Sequence, residues 1–452
     1  MLAIISNCWA LLLGIGLIML GNGLQGSLLG VRASMEGFEL STTGLIMSGY
    51  FIGLIFGSTY CPKMVARVGH VRSFGALASL ASISILAHIV FIDPWVWWGM
   101  RIVTGFAYSG MYVVAESWLN EASENETRGQ LLSFYMLINL GGMAGGQFLL
   151  NVAEPSGFVL FVLISVLVSI AVIPILTSVS KMPDYETTES VSIIQLFRVS
   201  PLGVMGMLIS SISIGAIFGV GAVYATNIGL SVKEVSFFMG AVIAGGALIQ
   251  YPLGRMSDVI GRRKVIVVTC LIGVVVAIMG SLNTETDWRL YAIIAALGAM
   301  ATPLYSLCAA HTNDYLTPPQ MVAASGALLL ASGIGATMGP PLTTFAMEQY
   351  GPQAFYYSIA LSLGLVATYA MWRTTQRVAV AQEDLGEFVV MAPTPTSIGF
   401  NPEVDLEEIE AATEFDAEEI QASFEELAEE LSNPDEETGE EKPSEDEANK
   451  GE

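Results

Sequence analysis

The residues best suited to bind a ligand or move a proton lie on one face of one apolar segment. The face consists of Arg101, Gly105, Tyr108, Tyr112 and Glu116, which fall at i, i+4, i+7, i+11 and i+15 of a helix. A guanidinium beside phenol rings can hold a carboxylate and an aromatic ring. A charge inside an apolar helix costs several kcal/mol unless it is paired or hydrated, which favours a cavity-facing Arg101. The alternative is that Arg101, roughly 9 Å inside the helix start, extends to the membrane interface.

Glu116 is the carboxylate of that face and lies near the other end of the segment. It cannot pair with Arg101, because fifteen residues of α-helix rise about 22 Å. One role for it is a proton carrier, since burial disfavours the charged form of a carboxyl group.

The apolar segments that contain these residues are predicted to be membrane-spanning helices. The chain is 53% hydrophobic and 13% charged, with a mean hydropathy of +0.60, whereas soluble domains contain roughly 25% charged residues. About 20 apolar residues cross ~30 Å of hydrocarbon as a helix. Twelve runs meet this requirement: 8–29, 41–61, 73–91, 95–119, 130–152, 157–178, 203–226, 232–253, 265–282, 288–310, 320–346 and 353–373.

The runs fall into two groups of six, separated by the polar stretch 179–202. We therefore predict an all-α membrane protein with one six-helix bundle over residues 1–178 and another over 203–375. The stretch 179–202 is expected to be a cytoplasmic central loop.

The two halves also resemble each other in sequence. Gly69 and Gly261 are separated by 192 residues and stand in similar surroundings, A-R-V-G-H-V-R and D-V-I-G-R-R-K. Gly141 and Gly145 pair with glycines 194 residues later. Two near-equal offsets in unrelated segments indicate duplication of a six-helix unit.

Charge is divided between the bundles and a tail. Residues 382–452 contain 25 acidic residues and two lysines, whereas the rest of the chain has 17 acidic and 16 basic residues. With both chain ends on one side of the membrane, that side has twelve Lys and Arg residues outside the spans and the other side has three. Positive residues mark the cytoplasmic side, so both termini, the central loop and the tail are expected there.

The tail, residues 376–452, contains one periodic stretch. Ile420, Phe424, Leu427 and Leu431 fall at i, i+4, i+7 and i+11, which predicts a short amphipathic helix within 405–432. The remainder is polar enough to be disordered. Membrane docking is disfavoured, because anionic lipid repels acidic residues. A solvated tail and a regulatory tail docked on the basic cytoplasmic loops remain the two interpretations.

The run G-R-M-S-D-V-I-G-R-R-K, residues 254–264, resembles the loop signature of the major facilitator superfamily, G-x-x-x-D-x-x-G-R-[RK]. Gly254, Asp258, Gly261, Arg262 and Arg263 fall on its positions, and the counterpart in the first half lacks the acidic residue. R-I-V-T-G and A-E-S-W-L-N in the fourth span, followed by R-G, also resemble this family. Within it, S-W-L-N, V-G-H-V-R and the H-T-N-D of 311–314 look most like the YcaD-like bacterial group.

The resemblance implies a twelve-helix fold of two pseudo-symmetric bundles, with a cavity lined by the first, fourth, seventh and tenth spans. Interhelical hydrogen bonding is the alternative role for each polar residue in those spans. The implied cavity residues are Asn22, Gln25, Arg101, Tyr108, Tyr112, Tyr224, Asn227, Tyr305 and His311. Arg101 corresponds to an arginine proposed in this family to act in proton coupling or substrate contact.

The resemblance also implies a gate at the cytoplasmic ends of the helices. Asp258 would accept hydrogen bonds from a neighbouring helix end and an arginine, while the basic residues of its run would also set topology. Glu116 would clamp the two halves against Arg128 or Arg67, which is the alternative to its role as a proton carrier. The expected gating and coupling residues are Glu116, Arg128, Gly254, Asp258, Gly261, Arg262 and Arg263.

By this resemblance the protein is a secondary transporter of a small organic solute, working by alternating access and coupled to protons, in a bacterial inner membrane. It would act as a monomer without a cofactor, nucleic acid or enzymatic activity. The four cysteines lie in or beside apolar segments without metal spacing, which predicts reduced thiols. The cavity chemistry favours a neutral or singly anionic solute that is partly aromatic or amphipathic. The alternative function is a non-transporting sensor or scaffold that signals through the acidic tail.

Overall fold

The computed structural model describes residues 2–121, 125–177, 190–376, 380, 385–386, 388–391, 394 and 417–432, without the side chains of 2–7, 121–128 and 417. These residues form helices joined by short turns. In chain order the helices are α1 Leu2–Met35, α2 Leu40–Val68, α3 His70–Val90, α4 Pro94–Glu121, α5 Asn125–Leu149, α6 Val159–Thr177, α7 Ile193–Val199, α8 Pro201–Asn227, α9 Val232–Ile260, α10 Arg262–Leu282, α11 Trp288–Ala301, α12 Leu304–Asn313, α13 Pro318–Tyr350, α14 Ala354–Thr374 and α15 Ala417–Glu430.

The all-α membrane fold expected from the sequence is confirmed. Among the described residues, ten segments are long and apolar enough to cross a membrane, with α11 and α12 together forming one of them. The other two expected spans are α4 and α5, which have 28 and 25 residues and therefore also have sufficient length. Both are more polar, because α4 contains Arg101 and Glu116 and α5 begins N-E-T-R-G-Q.

The run 254–264 is not a loop, contrary to the sequence-based interpretation. Helix α9 continues to Ile260 and α10 begins at Arg262, so one residue connects them. Gly261 has φ 102°, a conformation that L-residues with a side chain rarely adopt. Gly69 makes the same one-residue connection between α2 and α3 with φ 87°. Glycine at these two positions lets two long helices meet without an intervening loop.

The two halves repeat each other closely in length and register. Helices α2 and α9 both have 29 residues, and α3 and α10 both have 21, at a constant offset of 192 residues. Positive-φ glycines at 37 and 229 precede α2 and α9 at the same offset. The duplication inferred from sequence is therefore visible in the backbone.

The glycine pairs in α5 and α13 are in a slightly different register from the one the sequence suggested. Added Cβ atoms at Gly335 and Gly339 would overlap α8 backbone, and those at Gly142 and Gly146 would overlap α1. Gly141 faces open space. The glycines that pack equivalently in the two halves are thus 193 residues apart. Which glycines face a neighbouring helix depends on where that helix lies, and not on the glycine spacing alone.

Two irregular features position residues at the ends of the bundle. Pro303 separates α11 from α12, since its ring prevents a continuous α-helical hydrogen-bond ladder. The short helix α7, in the central linker, was not predicted from sequence. Helix α15 is amphipathic and packs against α7 and α13, with Ile420 and Phe424 buried.

The first six long helices and the last six meet at one end of the molecule, which we call the closed end. It is the end where α1 leads into α2 and α8 into α9. There Asn151 Nδ2 donates to Ser236 Oγ at 2.9 Å, and the rings of Phe148 and Phe237 have centroids 5.4 Å apart. Gly44 of α2 packs directly against α13. The opposite end, with Gly69 and Gly261, is called the tail end.

Candidate functional site

Close packing of α2 on α4 builds the first half of the site. Gly49, Gly53 and Gly57 recur every fourth residue on the face of α2 that meets α4. A Cβ at Gly53 would overlap the backbone of α4, and a Cβ at Gly105 would overlap that of α2. This close backbone approach, typical of small residues in membrane helices, brings Tyr50 of α2 beside Arg101 of α4.

Arg101 is a buried cation held by aromatic rings. Its side chain is only 4% exposed, and its guanidinium carbon lies 4.7 Å from the ring centroid of Tyr50. The Tyr50 and Tyr108 centroids are 6.3 Å apart in an edge-to-face arrangement. The Arg101 Nε has no hydrogen-bond partner, and none of the ion pairs among the described residues involves Arg101.

Polar groups of α1 complete this cluster, which we call the Arg101 cluster. Asn22 Nδ2 donates to the hydroxyl of Tyr50 at 3.2 Å and to that of Tyr112 at 3.1 Å. Within the described structure, the Tyr108 hydroxyl and the Gln25 amide nitrogen are buried without a hydrogen-bond partner. The cluster therefore combines one cation with donors and rings whose hydrogen-bonding capacity is not used up by the protein.

The other expected cavity residues lie in different surroundings. Tyr224 stacks on Phe355 with centroids 4.5 Å apart, inside the second half. Asn227 is exposed at the end of α8. His311 meets the ring of Tyr315 edge-to-face at 5.4 Å. The structure thus brings together Asn22, Arg101, Tyr108 and Tyr112 around Tyr50, in surroundings different from those of these three residues.

Glu116 forms a second buried polar centre nearer the tail end. Its side chain is fully buried, and its Oε1 accepts hydrogen bonds from Tyr135 at 2.9 Å and from Thr394 at 2.8 Å. Tyr305, on α12 of the second half, is close enough to interact electrostatically with Glu116. Of the two basic partners expected from sequence, Arg67 is exposed, and the Arg128 side chain lies outside the described residues.

The signature residues of α9 and α10 form an ion-pair network at the tail end. Arg262 is 2% exposed, pairs with Asp258, and lies 3.3 Å from Asp314 through its Nε. It also donates to Ser257 Oγ at 2.7 Å. Arg263 donates to the Tyr315 hydroxyl at 2.7 Å. Asp258 and Arg262 therefore interact directly, and Asp314, the residue that follows α12, supplies a second carboxylate.

Sequence reasoning missed four of the residues that complete these centres. Tyr50 was detectable in principle, because it lies within the four-residue glycine repeat of the second span. Asp314 belongs to the H-T-N-D stretch but was not assigned a role. Tyr135 and Thr394 had no sequence signal, since each meets Glu116 only through tertiary packing. Among the described residues, no group of side chains could hold a metal ion.

Comparisons with known proteins agree with this architecture. The chain is 28% identical over 352 residues to the uncharacterized MFS-type transporter YcaD of Escherichia fergusonii, covering 77% of this chain and 91% of that protein. It is 27% identical over 363 residues to the uncharacterized MFS-type transporter YE1530 of Yersinia enterocolitica, covering 80% and 93%. The YcaD-like assignment made from sequence is confirmed.

Solved structures show the same fold. The nucleoside transporter NupG (D323A mutant) matches with a TM-score of 0.70 at 12% identity, covering 80% of this chain and 98% of that one. A bacterial homologue of the human lysosomal transporter Spinster, inward-facing and occupied, matches with a TM-score of 0.65 at 14% identity, covering 83% and 97%.

The family model described as Major Facilitator Superfamily matches residues 11–219 and 203–398, which together span most of the sequence. These matches follow the two halves seen in the backbone. The chain belongs to the major facilitator superfamily and is a multi-pass membrane transporter.

Proposed function

We propose that the protein is a secondary transporter of a small organic solute with an anionic group and a ring, working by alternating access. The observation that supports this most strongly is Arg101, which is buried among tyrosines without a carboxylate partner among the described residues. Burying an unpaired cation is costly unless a ligand or water compensates for it. A carboxylate bound at Arg101 would supply that compensation through a charge-assisted hydrogen bond.

The surroundings of Arg101 favour an aromatic or otherwise flat solute. Tyr50, Tyr108 and Tyr112 form a continuous run of rings with neighbouring centroids 6.3 and 6.4 Å apart. Aromatic rings stabilise one another in edge-to-face and offset geometries. The unused Tyr108 hydroxyl and Gln25 amide would then select a solute that has hydrogen-bonding groups beside its anionic group.

Proton coupling is assigned to Glu116. It is a fully buried carboxyl group about 22 Å along α4 from Arg101, so proton and solute occupy separate sites of one helix. Its described hydrogen-bond donors are hydroxyl groups, which remain compatible with a change in its protonation. A latch between the halves is the second role for Glu116. We place the protein in a bacterial inner membrane as a monomer, with the tail end in the cytoplasm.

Arg101→Gln tests the solute site. Purified protein is screened by thermal shift against matched sets of organic acids, neutral analogues and amines, and hits are assayed for uptake into proteoliposomes with and without a pH gradient. We expect acids to stabilise the protein and Arg101→Gln to weaken their binding about 10- to 100-fold, the magnitude of one charged hydrogen bond.

Arg289→Gln is the matched control, because Arg289 is 61% exposed at the start of α11. It should bind the acids like the parent. If acids and amines bind equally well and Arg101→Gln changes neither, the anionic solute site is wrong. If no solute binds or crosses the membrane under any gradient, the sensor or scaffold alternative is favoured instead.

A further inference from the structure

A short part of the acidic tail returns into the bundle after α14. The described residues of this part, 385, 386, 388–391 and 394, are called the tail segment. Met391 is 7% exposed and Thr394 is 5% exposed, while the other described residues of the segment are half-buried, so the end of the segment lies inside the bundle. The segment enters at the tail end, opposite the closed end, where the two halves meet directly.

The second half holds the segment through its signature residues. Arg262 donates to the backbone oxygen of Gly386, and the Phe388 amide donates to Asp258 Oδ2 at 3.4 Å. The Phe388 ring packs directly on Gly254, where any Cβ would overlap the ring. Three of the five signature positions therefore contact the tail, in addition to the contacts that they make with one another.

The broken helix α11–α12 supplies a further attachment. Ser306 is fully buried and bonds to both backbone groups of Met391. The Met391 amide donates to Ser306 Oγ at 3.0 Å, and the Ser306 hydroxyl is 3.2 Å from the Met391 oxygen. Buried backbone groups need such partners, so this serine stabilises a stretch of chain that is neither helix nor strand.

The first half holds the segment through Glu116. Thr394 donates to Glu116 Oε1 at 2.8 Å. The segment thus extends from Asp258 and Ser306 of one half to Glu116 of the other. Because Glu116 and Thr394 are 278 residues apart in sequence, this contact links the halves across the tail end.

We propose that the tail segment is an autoinhibitory plug that closes the passage between the halves at the tail end. This inference rests on the proposed transport function. In alternating access one half rocks against the other, so a segment attached to both halves must release one of them in each cycle. While docked, it occupies the route that a solute must take between the tail end and the Arg101 cluster. Helix α15, packed on α7 and α13, keeps the released segment nearby.

Access to Ser306 provides a test that does not depend on transport. The full chain carries Ser306→Cys, with the four buried native cysteines replaced by alanine, and a membrane-impermeant thiol reagent is applied from the tail end. The double variant Phe388→Asp, Met391→Asp should displace the segment. Its docking would bury two carboxylates and place one of them beside Asp258. If the segment is docked about nine-tenths of the time, labelling should become about tenfold faster, and solute counterflow should rise similarly.

The matched control is Gln421→Asp with Ala422→Asp, two acidic substitutions on the exposed face of α15. It should label and transport like the parent. Thr394→Val removes only the hydroxyl donated to Glu116 and should give a smaller increase in labelling, which supports the plug even if the double variant folds poorly. Unchanged labelling in both segment variants would overturn the plug. Faster labelling with unchanged counterflow would overturn its inhibitory role.

Failure of the plug and failure of the proposed function give different results. If no variant transports any solute but labelling of the thiol introduced by Ser306→Cys rises on release, the closure of the passage is supported and the transport proposal fails. If the parent transports solute and the introduced thiol is already fully reactive with the segment intact, the transport proposal stands and the plug fails.

Discussion

Arg101 and Glu116, two charged residues of α4, contact different kinds of groups. Arg101 contacts rings and has no carboxylate partner among the described ion pairs, whereas Glu116 accepts two hydroxyl hydrogen bonds. A buried polar group without a partner is costly and calls for a ligand, water or ion, while a satisfied one can be structural. Arg101 is therefore the better candidate for solute contact, and Glu116 for a group that changes with protonation or gating.

Glu116→Gln should separate proton coupling from solute binding. Glutamine keeps an oxygen that can accept from Tyr135 and Thr394 but cannot release a proton at any physiological pH. We expect uptake to lose its dependence on an imposed pH gradient, while solute binding and solute exchange remain near the parental level. Paired flux measurements with and without the gradient check this.

Tyr135→Phe is the companion variant, since it removes one donor to Glu116 and retains the carboxylate. It should keep gradient-driven uptake, with at most a modest change in rate. Gradient dependence that survives in Glu116→Gln would remove Glu116 from the coupling mechanism.

At the scale of elements, α5 shows that two glycines of one helix can differ completely in their surroundings. An added Cβ at Gly146 would lie 2.8 Å from the Leu24 nitrogen and 3.0 Å from Gly23 Cα, whereas Gly141 meets nothing within 4 Å. Both are helical glycines of one helix. Their difference arises from the position of α1, which also holds Asn22 and Gln25.

Gly146→Ala should therefore destabilise the protein by about 1–3 kcal/mol, the usual cost of forcing a methyl group against backbone. It should also impair solute binding, because displacement of α1 moves Asn22. Gly141→Ala should leave stability unchanged or slightly higher, as alanine favours helix. Thermal unfolding in detergent compares the pair, and equal midpoints would mean that α1 and α5 pack differently.

At the scale of the whole molecule, the structure is closed at one end and plugged at the other. The closed end joins the halves through Asn151–Ser236 and Phe148–Phe237, and the tail end joins them through the tail segment. Alternating access requires the closed end to separate during each cycle.

Cross-linking across the closed end should stop this movement. In a background without the native cysteines, Asn151→Cys with Ser236→Cys is treated with a short bifunctional thiol reagent. We expect transport to fall to background and to recover when a cleavable linker is reduced. Each single-cysteine variant, treated in the same way, should transport normally. Full transport by the cross-linked protein would exclude rocking about this interface.

Much of the element pattern could be predicted from sequence, and the reasons are local. Apolar length determines that a segment spans the membrane, so the expected runs match the observed helices to within a few residues at most boundaries. Tight one-residue connections need glycine, so Gly69 and Gly261 also revealed the duplication. The run around Asp258 was misread as a loop because α9 continues beyond the hydrocarbon, where its residues are as polar as those of a loop.

The sequence by itself determined that Arg101, Tyr108 and Tyr112 share one face of α4, because the helical period alone fixes which residues align. Only the tertiary structure decided what that face meets. Glycine packing places Tyr50 against Arg101, and the returning tail places Thr394 against Glu116. Such contacts depend on the mutual fit of elements far apart in the chain, which no local pattern encodes.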